Sequence, residues 1–265
     1  MNYEDIIYEK NRGKATITIN RPEVLNAFRA KTLYEMIDAI TDAWKDKEIG
    51  VLILTGAGDR AFCTGGDQKA KKNKSKDDDK YLPVGQYVAQ LHYLLRNVPV
   101  PVIAAVKGYA IGGGNVLQVI CDMTIAADNA IFGQVGPKVG SIDAGFGTAY
   151  LSRIVGEKKA REIWYLCRKY SAKEALDMGL INTVVPKDNL MEEVDKWCDE
   201  ILDKSPTAIK VLKYSFNSDS DNIFGISRMG LSSLELFHTT DEAHEGIDAF
   251  LEKRPPDFSK FRKNE

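Results

Sequence analysis

The sequence predicts an α/β fold with mainly parallel strand pairing, on two observations. Short apolar or β-branched runs alternate along the chain with segments of helical periodicity, which is the pattern of repeated strand–turn–helix units. Two of the turns are glycine-rich, Phe62-Cys63-Thr64-Gly65-Gly66-Asp67-Gln68 and Ile111-Gly112-Gly113-Gly114-Asn115, and each follows a strand-like run. Glycine admits positive φ and lets a ligand approach main-chain N–H groups.

Taken in order, Ala15 to Asn20 alternates as a strand, and Arg21-Pro22-Glu23 turns the chain. Leu33, Met36, Ile37, Ile40 and Trp44 recur at helical spacing, which predicts an amphipathic helix over 31–44. Val51 to Thr55 and Val102 to Val106 are continuous apolar runs expected of strands buried on both faces. Met123 to Ala127 and Ala130 to Gly133 are two further short strands. Beyond Thr148 the pattern turns helical, over 158–167 and 172–178, with Gly179 as a C-cap. A strand over 181–185 stops at Pro186, a long amphipathic helix runs from Leu190 to Leu202, and more helix follows until Pro255-Pro256 ends it.

The chain has 265 residues, enough for one large domain or two small ones. Its net charge of −2 gives no general attraction to nucleic acid or to an anionic membrane. No apolar run approaches the ~20 residues that span a bilayer, and Met1 to Asp5 is acidic, without a signal-peptide core. Cys63, Cys121, Cys167 and Cys198 lie far apart with no paired spacing. Reduced core cysteines of a cytoplasmic protein are expected. Neither the cysteines nor His92, His238 and His244 show metal-ligand spacing. The stretch from Lys69 to Lys80 is almost purely polar and charged. It reads either as a solvated surface loop or as a mobile segment whose lysines meet phosphate groups.

Two glycine turns brought together would aim two N–H donors at one oxyanion, and each donor of that kind contributes on the order of 10²–10³ in rate. The ordered set Ile19-Asn20-Arg21-Pro22, Asn26-Ala27-Phe28, Phe62 to Asp67, Gly108 to Gly114 and Phe132-Gly133-Gln134 resembles the crotonase (enoyl-CoA hydratase/isomerase) superfamily, essentially end to end. The resemblance implies a ClpP-like spiral of repeated ββα units over residues 1–200, holding an acyl-CoA thioester site. It also implies a helical region over 201–265 that supports a trimer or a dimer of trimers. Gly66 and Gly113 would supply the oxyanion donors. Coenzyme A would enter as part of the substrate, with no separate cofactor and no metal.

The departures from the family pattern narrow the chemistry. Hydratases of this family carry two catalytic glutamates, and the matching positions here are Val116 and Gly136. Within the superfamily the chain resembles two related groups, 2-ketocyclohexanecarboxyl-CoA hydrolases and 1,4-dihydroxy-2-naphthoyl-CoA synthases. The shared residues are Gly65 to Gln68, Gly136-Pro137-Lys138, Gly140 to Asp143 and Lys158 to Trp164. The synthases usually have His where this chain has Asn115, and a Thr that helps bind a bicarbonate base where it has Val135. Those differences favour hydrolytic ring opening of a cyclic β-ketoacyl-CoA. Ring closure with bicarbonate is the alternative, and a non-catalytic acyl-CoA-binding module is a third.

Asp143 is the candidate base. Its local sequence alone reads equally as an N-cap for a helix from Phe146 onward, and the family position favours the base. Ser141 is a candidate hydrogen-bond partner for substrate or for Asp143. His238 stands where both related groups usually have a tyrosine, and is the candidate proton donor. Gln134 and Trp164 are expected to line the acyl pocket. Arg21, Ala27, Phe28, Gln68 and Lys69 are expected along the CoA moiety, with Lys253 and Lys260 contributed by a tail that reaches a neighbouring subunit.

Overall fold

The computed structural model describes residues 2–72 and 80–262. It begins with a hairpin, β1 (Ile6–Asn11) and β2 (Lys14–Ile19), followed by helix α1 (Ala30–Lys45). Three strand pairs come next: β3 (Val51–Gly56) with β4 (Ala61–Cys63), β5 (Val102–Val106) with β6 (Tyr109–Ile111), and β7 (Met123–Ala127) with β8 (Ile131–Gly133). Helices α2 (Gln68–Lys72) and α3 (Val84–Asn97) follow the first pair, and α4 (Gly113–Ile120) follows the second. The rest comprises α5 (Leu151–Val155), α6 (Glu157–Leu166), β9 (Lys169–Ser171), α7 (Ala172–Asp177), β10 (Thr183–Val185) and α8 (Leu190–Leu202). Helices α9 (Pro206–Ser218), α10 (Ile223–Phe237) and α11 (Asp241–Glu252) close the chain.

Each ββ pair contributes one strand to each of two sheets. The larger runs β1-β2-β3-β5-β7-β10 and the smaller β4-β6-β8-β9. All pairings are parallel except β1 with β2 and β8 with β9. This is the ββα repeat of the predicted α/β spiral. The central strands alternate their burial partners with period two. Val51, Ile53, Ile103, Ala105, Ile125 and Ala127 pack on Leu190, Val194 and Cys198 of α8. Leu52, Leu54, Val102, Ala104, Val106 and Ala126 face the main core with α1, α3 and α4. Both faces are therefore covered, which is why these strands read as unbroken apolar runs.

Strands β1, β4, β6 and β9 and helix α3 add to the predicted elements, β4 and β6 running into the stretches read as glycine turns, and the strand expected from Ile181 starts at Thr183. Gly179 does take a positive φ of 76° after α7. In the charged block, α2 carries the chain to Lys72, and residues 73–79 lie outside the described residues. Among the described residues no helix is long and apolar enough to cross a membrane.

Candidate active site

The two glycine turns meet at the carboxyl ends of β4 and β6. Phe28 N–H donates to Gly65 O at 2.8 Å, and Asp67 N–H donates to Phe28 O at 2.9 Å. These bonds form a parallel bridge between Phe28 and Gly66. Because N–H groups alternate sides along extended backbone, the bridge turns the Gly66 N–H away from Phe28. Gly113 opens α4, so its N–H is a first-turn donor without an intrahelical acceptor. The turns are in direct contact. A Cβ on Gly65, whose φ is +84°, would lie 2.9 Å from Gly113 N. One on Gly113 would lie 2.9 Å from the Phe28 ring. Gly66 and Gly113 keep partial exposure, while Gly65 and Gly114 beside them are buried.

A polar brace fixes the first turn. Asp67 accepts from Lys69 N–H and Ala70 N–H at 3.0 and 3.1 Å, capping α2, and pairs with Arg21 Nη2 at 3.0 Å. Arg21 also donates to Ala27 O and lies 3.6 Å from Asp5. Burial pushes the Asp5 carboxyl up, but hydrogen bonds from Arg29 and Thr32 outweigh it and hold it below the usual range. Asn26 is buried and donates to Ala57 O and Ala61 O at 2.9 and 2.7 Å. Arg21 is thus engaged within the chain, bracing the Ala27–Phe28 segment against the turn. Both Ala27 and Phe28 are buried.

The second part of the site surrounds Asp143. Ser141 N–H donates to Gly136 O at 2.9 Å. The Trp164 indole donates to Gly147 O. A Cβ on Gly136 would lie 2.9 Å from the Trp164 ring, and one on Gly147 would lie 3.0 Å from both that ring and Asp143 Oδ1. Gly136, Ser141, Asp143, Gly147 and Trp164 therefore form one corner. Burial pushes the Asp143 carboxyl up to about 7, and a hydrogen bond from Gly147 N–H works weakly against it. Among the described residues no cation contributes to that balance. The residue keeps partial exposure, so a desolvated carboxyl remains in contact with solvent. A carboxyl poised near neutral pH both accepts and returns a proton. A π-helical turn runs over Phe146–Tyr150 with Gly145 as its N-cap and no side-chain cap, so Asp143 stands two residues ahead of the cap position.

Segment 133–136 links the two parts. Gly112 N–H donates to Gly133 O at 3.0 Å, Val135 Cγ2 lies 3.6 Å from the Cβ position of Gly112, and Gly136 abuts Trp164. Gln134, between them, is fully buried.

The remaining candidates are more dispersed. His238 ends α10, half-buried, with its N–H donating to Leu234 O. Along α10 it lies ~12 Å beyond Gly230, the residue that touches Ala144. Gln68 is partly buried, its Oε1 without a partner among the described residues, and Lys69 is exposed on α2. Lys253 and Lys260 are exposed, and Lys260 sits over the Phe261 ring at 4.9 Å. Helix α11 packs against α2 in the same chain, which brings the helical tail beside the first glycine turn.

Sequence reasoning missed the clamp on the Asp143 loop. A Cβ on Gly145 would lie 2.6 Å from Ser227, one on Gly230 would overlap Ala144, and one on Gly246 would overlap the Gly140 backbone. Gly230 and Gly246 lie inside helices, where glycine is unfavourable, and that is the signal that pointed to a close approach.

Comparison with known proteins agrees with this architecture. The family model described as enoyl-CoA hydratase/isomerase matches residues 9–262. An enoyl-CoA hydratase from Mycobacterium avium subsp. paratuberculosis K-10 superposes with a TM-score of 0.87 at 26% identity, covering 97% of this chain and 99% of that one. An enoyl-CoA hydratase from Bacillus anthracis shares 30% identity with a TM-score of 0.75, over 96% and 99%. A monofunctional enoyl-CoA isomerase from M. smegmatis shares 31% with a TM-score of 0.70, over 82% and 94%.

Proposed function

Since the chain belongs to the enoyl-CoA hydratase/isomerase family, we propose that it opens the ring of a cyclic β-ketoacyl-CoA such as 2-ketocyclohexanecarboxyl-CoA by hydrolysis. The observation that carries this reading is Asp143, held at the Trp164 corner, a carboxyl raised to about 7 with no cation beside it among the described residues. Asp143 takes a proton from water as the water attacks the ring ketone. The C–C bond to the α-carbon breaks, and the thioester enolate rests on the Gly66 and Gly113 N–H groups. Protonation of the α-carbon gives a linear dicarboxyl mono-CoA thioester. The hydratase glutamate positions support a different chemistry from water addition, since Val116 is buried and apolar and Gly136 has no side chain.

In this reading Gln68 and Lys69 border the thioester, Ala27 and Phe28 shape the CoA channel, and Lys253 and Lys260 approach the phosphates. His238 or Ser141 contributes the second proton-transfer group. The chain acts as a homo-oligomer. Helices α9 and α10 expose Phe216 at 78%, Leu236 at 71% and Met229 at 63%, an apolar surface suited to another copy; light scattering tests the assembly.

The decisive experiment offers 2-ketocyclohexanecarboxyl-CoA beside o-succinylbenzoyl-CoA and identifies products by mass. Ring opening abolished in Asp143→Asn, with CoA-ester binding retained, is the expected result. Bicarbonate-dependent closure of o-succinylbenzoyl-CoA would replace this reading with the synthase, and tight binding without turnover of either ester would replace it with a binding module.

A further inference from the structure

Gln134 is wholly buried, and among the described residues no group reaches its Oε1 or its Nε2. An amide presents an acceptor and a donor side by side, and burying both unpaired is unfavourable. The chain holds the pair at a defined place, one residue beyond the Gly133 carbonyl that anchors the Gly112 turn and two before Gly136 at the Asp143 corner. A second buried amide flanks the same turn. Thr124 Oγ1 donates to Gln118 Oε1 at 2.9 Å, and Gln118 Nε2 donates to Asn115 Oδ1 at 2.9 Å. This directed chain fixes the Asn115 amide and leaves its Nδ2 without a partner among the described residues.

We propose that Gln134 recognises the carbon that passes from ketone to carboxyl, an assignment that rests on the ring-opening reading. Water oxygen bonds to the ketone carbon, the carbonyl π pair moves onto its oxygen, and Asp143 receives the water's proton. The adduct then carries one O–H and one O⁻ on the same carbon. Gln134 Oε1 accepts from the O–H, and Nε2 donates to the O⁻, with Asn115 Nδ2 as a further donor on that side. When the adduct collapses, C=O reforms, and the pair of the broken C–C bond becomes the thioester enolate. The α-carbon then takes a proton from His238 or Ser141, and that group is restored as Asp143 gives up the proton it took from water. The new carboxyl group presents the same donor and acceptor, so the amide also holds the product. Gln134 is thus a second recognition point, separate from the thioester oxyanion site, and it selects acyl chains that end in a carboxyl.

The test compares binding of pimeloyl-CoA, which has a terminal carboxyl, with heptanoyl-CoA, which has the same chain length and none. The full-length protein is used as wild type, Gln134→Met and Gln134→Glu. The wild type is expected to prefer pimeloyl-CoA by about tenfold or more, equal to about 1.4 kcal/mol, and increasingly as pH falls and the carboxyl gains its proton. Gln134→Met is expected to lose the preference while keeping heptanoyl-CoA affinity. In turnover it should lose about 100-fold in kcat with KM within a few-fold. Gln134→Glu carries a donor and acceptor only when protonated, so its kcat relative to wild type should rise as pH falls. A preference that survives Gln134→Met overturns the assignment, as does an equal loss of heptanoyl-CoA affinity. If the wild type opens no ring but Gln134→Met still abolishes the preference, the ring-opening reading fails and carboxyl recognition stands. If wild type and Gln134→Met open the ring at equal rates, the assignment fails and ring opening stands.

Discussion

Replacing Asp143 with asparagine separates the electrostatic consequence of its burial from everything else in the fold. In the folded protein its carboxyl is raised to about 7 from an ordinary 3.8. The folded state therefore binds the proton more tightly than the unfolded chain does. The stability associated with the protonated form is full below about pH 4, is lost as pH climbs toward 7, and is flat above that. A displacement of roughly three pH units corresponds to about 4 kcal/mol, an upper bound because the side chain is partly exposed. Asparagine keeps the shape and carries no charge. Asp143→Asn should thus equal wild type near pH 4, within its own packing offset, and exceed it by up to ~4 kcal/mol above pH 8. Urea unfolding at fixed protein concentration across pH 4–9 measures this directly. The same carboxyl must be ionised to accept a proton, so wild-type kcat/KM should rise with pH through about 7. A stability difference that does not change with pH, or an activity limb near 4, would refute the argument that desolvation without a cation sets this group.

Three other changes are informative. Gly246→Ala places a methyl group against the Gly140 backbone; overpacking of this kind costs roughly 1–3 kcal/mol, and by moving the Asp143 loop it should lower kcat more than it raises KM. An unchanged kcat would show that α11 does not position that loop. Gly113→Ala drives a methyl group to 2.9 Å from the Phe28 ring, and displacing one oxyanion donor should cost on the order of 10² in kcat, with the circular dichroism spectrum preserved. Lys213→Met removes an ammonium that donates to Leu95 O, Val100 O and Asp122 at 2.8–3.0 Å. Asp122 is exposed and keeps its bond from Val102 N–H, so the cost falls on the Leu95 and Val100 carbonyls that lose their donor; it should be about 1–3 kcal/mol in urea unfolding, and a shift under ~1 kcal/mol would show that the ammonium is not needed.

Much of the frame was legible because burial imposes simple periods. Val51 to Thr55 and Val102 to Val106 announce strands covered on both faces, and α1 and α8 announce themselves by one apolar stripe each. Helix α3 was hidden because it emerges from the charged block, where polar composition masks where order resumes. Strand β1 was hidden because it is an edge, exposed along much of its length as Ile7 shows, so its pattern lacks the apolar run of a central strand. At the site, the glycine turns were legible because no other residue tolerates the contact between Gly65 and Gly113. The partner of Asp143 was not, since it is the backbone N–H of Gly147, and a main-chain donor leaves no residue type to read.

The same limit explains why Gly136 looked like a simple absence. In the sequence it is a missing carboxylate. In the fold its Cβ position lies 2.9 Å from the Trp164 ring and 2.5 Å from Ser141 O, so the space a side chain would need is already filled. Trp164 is tied there by its bond to Gly147 O, and Gly147 in turn holds Asp143. Putting a side chain at 136 would therefore push on the indole that shapes the Asp143 corner. Glycine at 136, tryptophan at 164 and aspartate at 143 form one packed solution. A carboxylate cannot be added at the first position without disturbing the carboxylate at the third. The glycine at 136 thus belongs to the same packing that desolvates Asp143, and it is that desolvation which raises the Asp143 carboxyl.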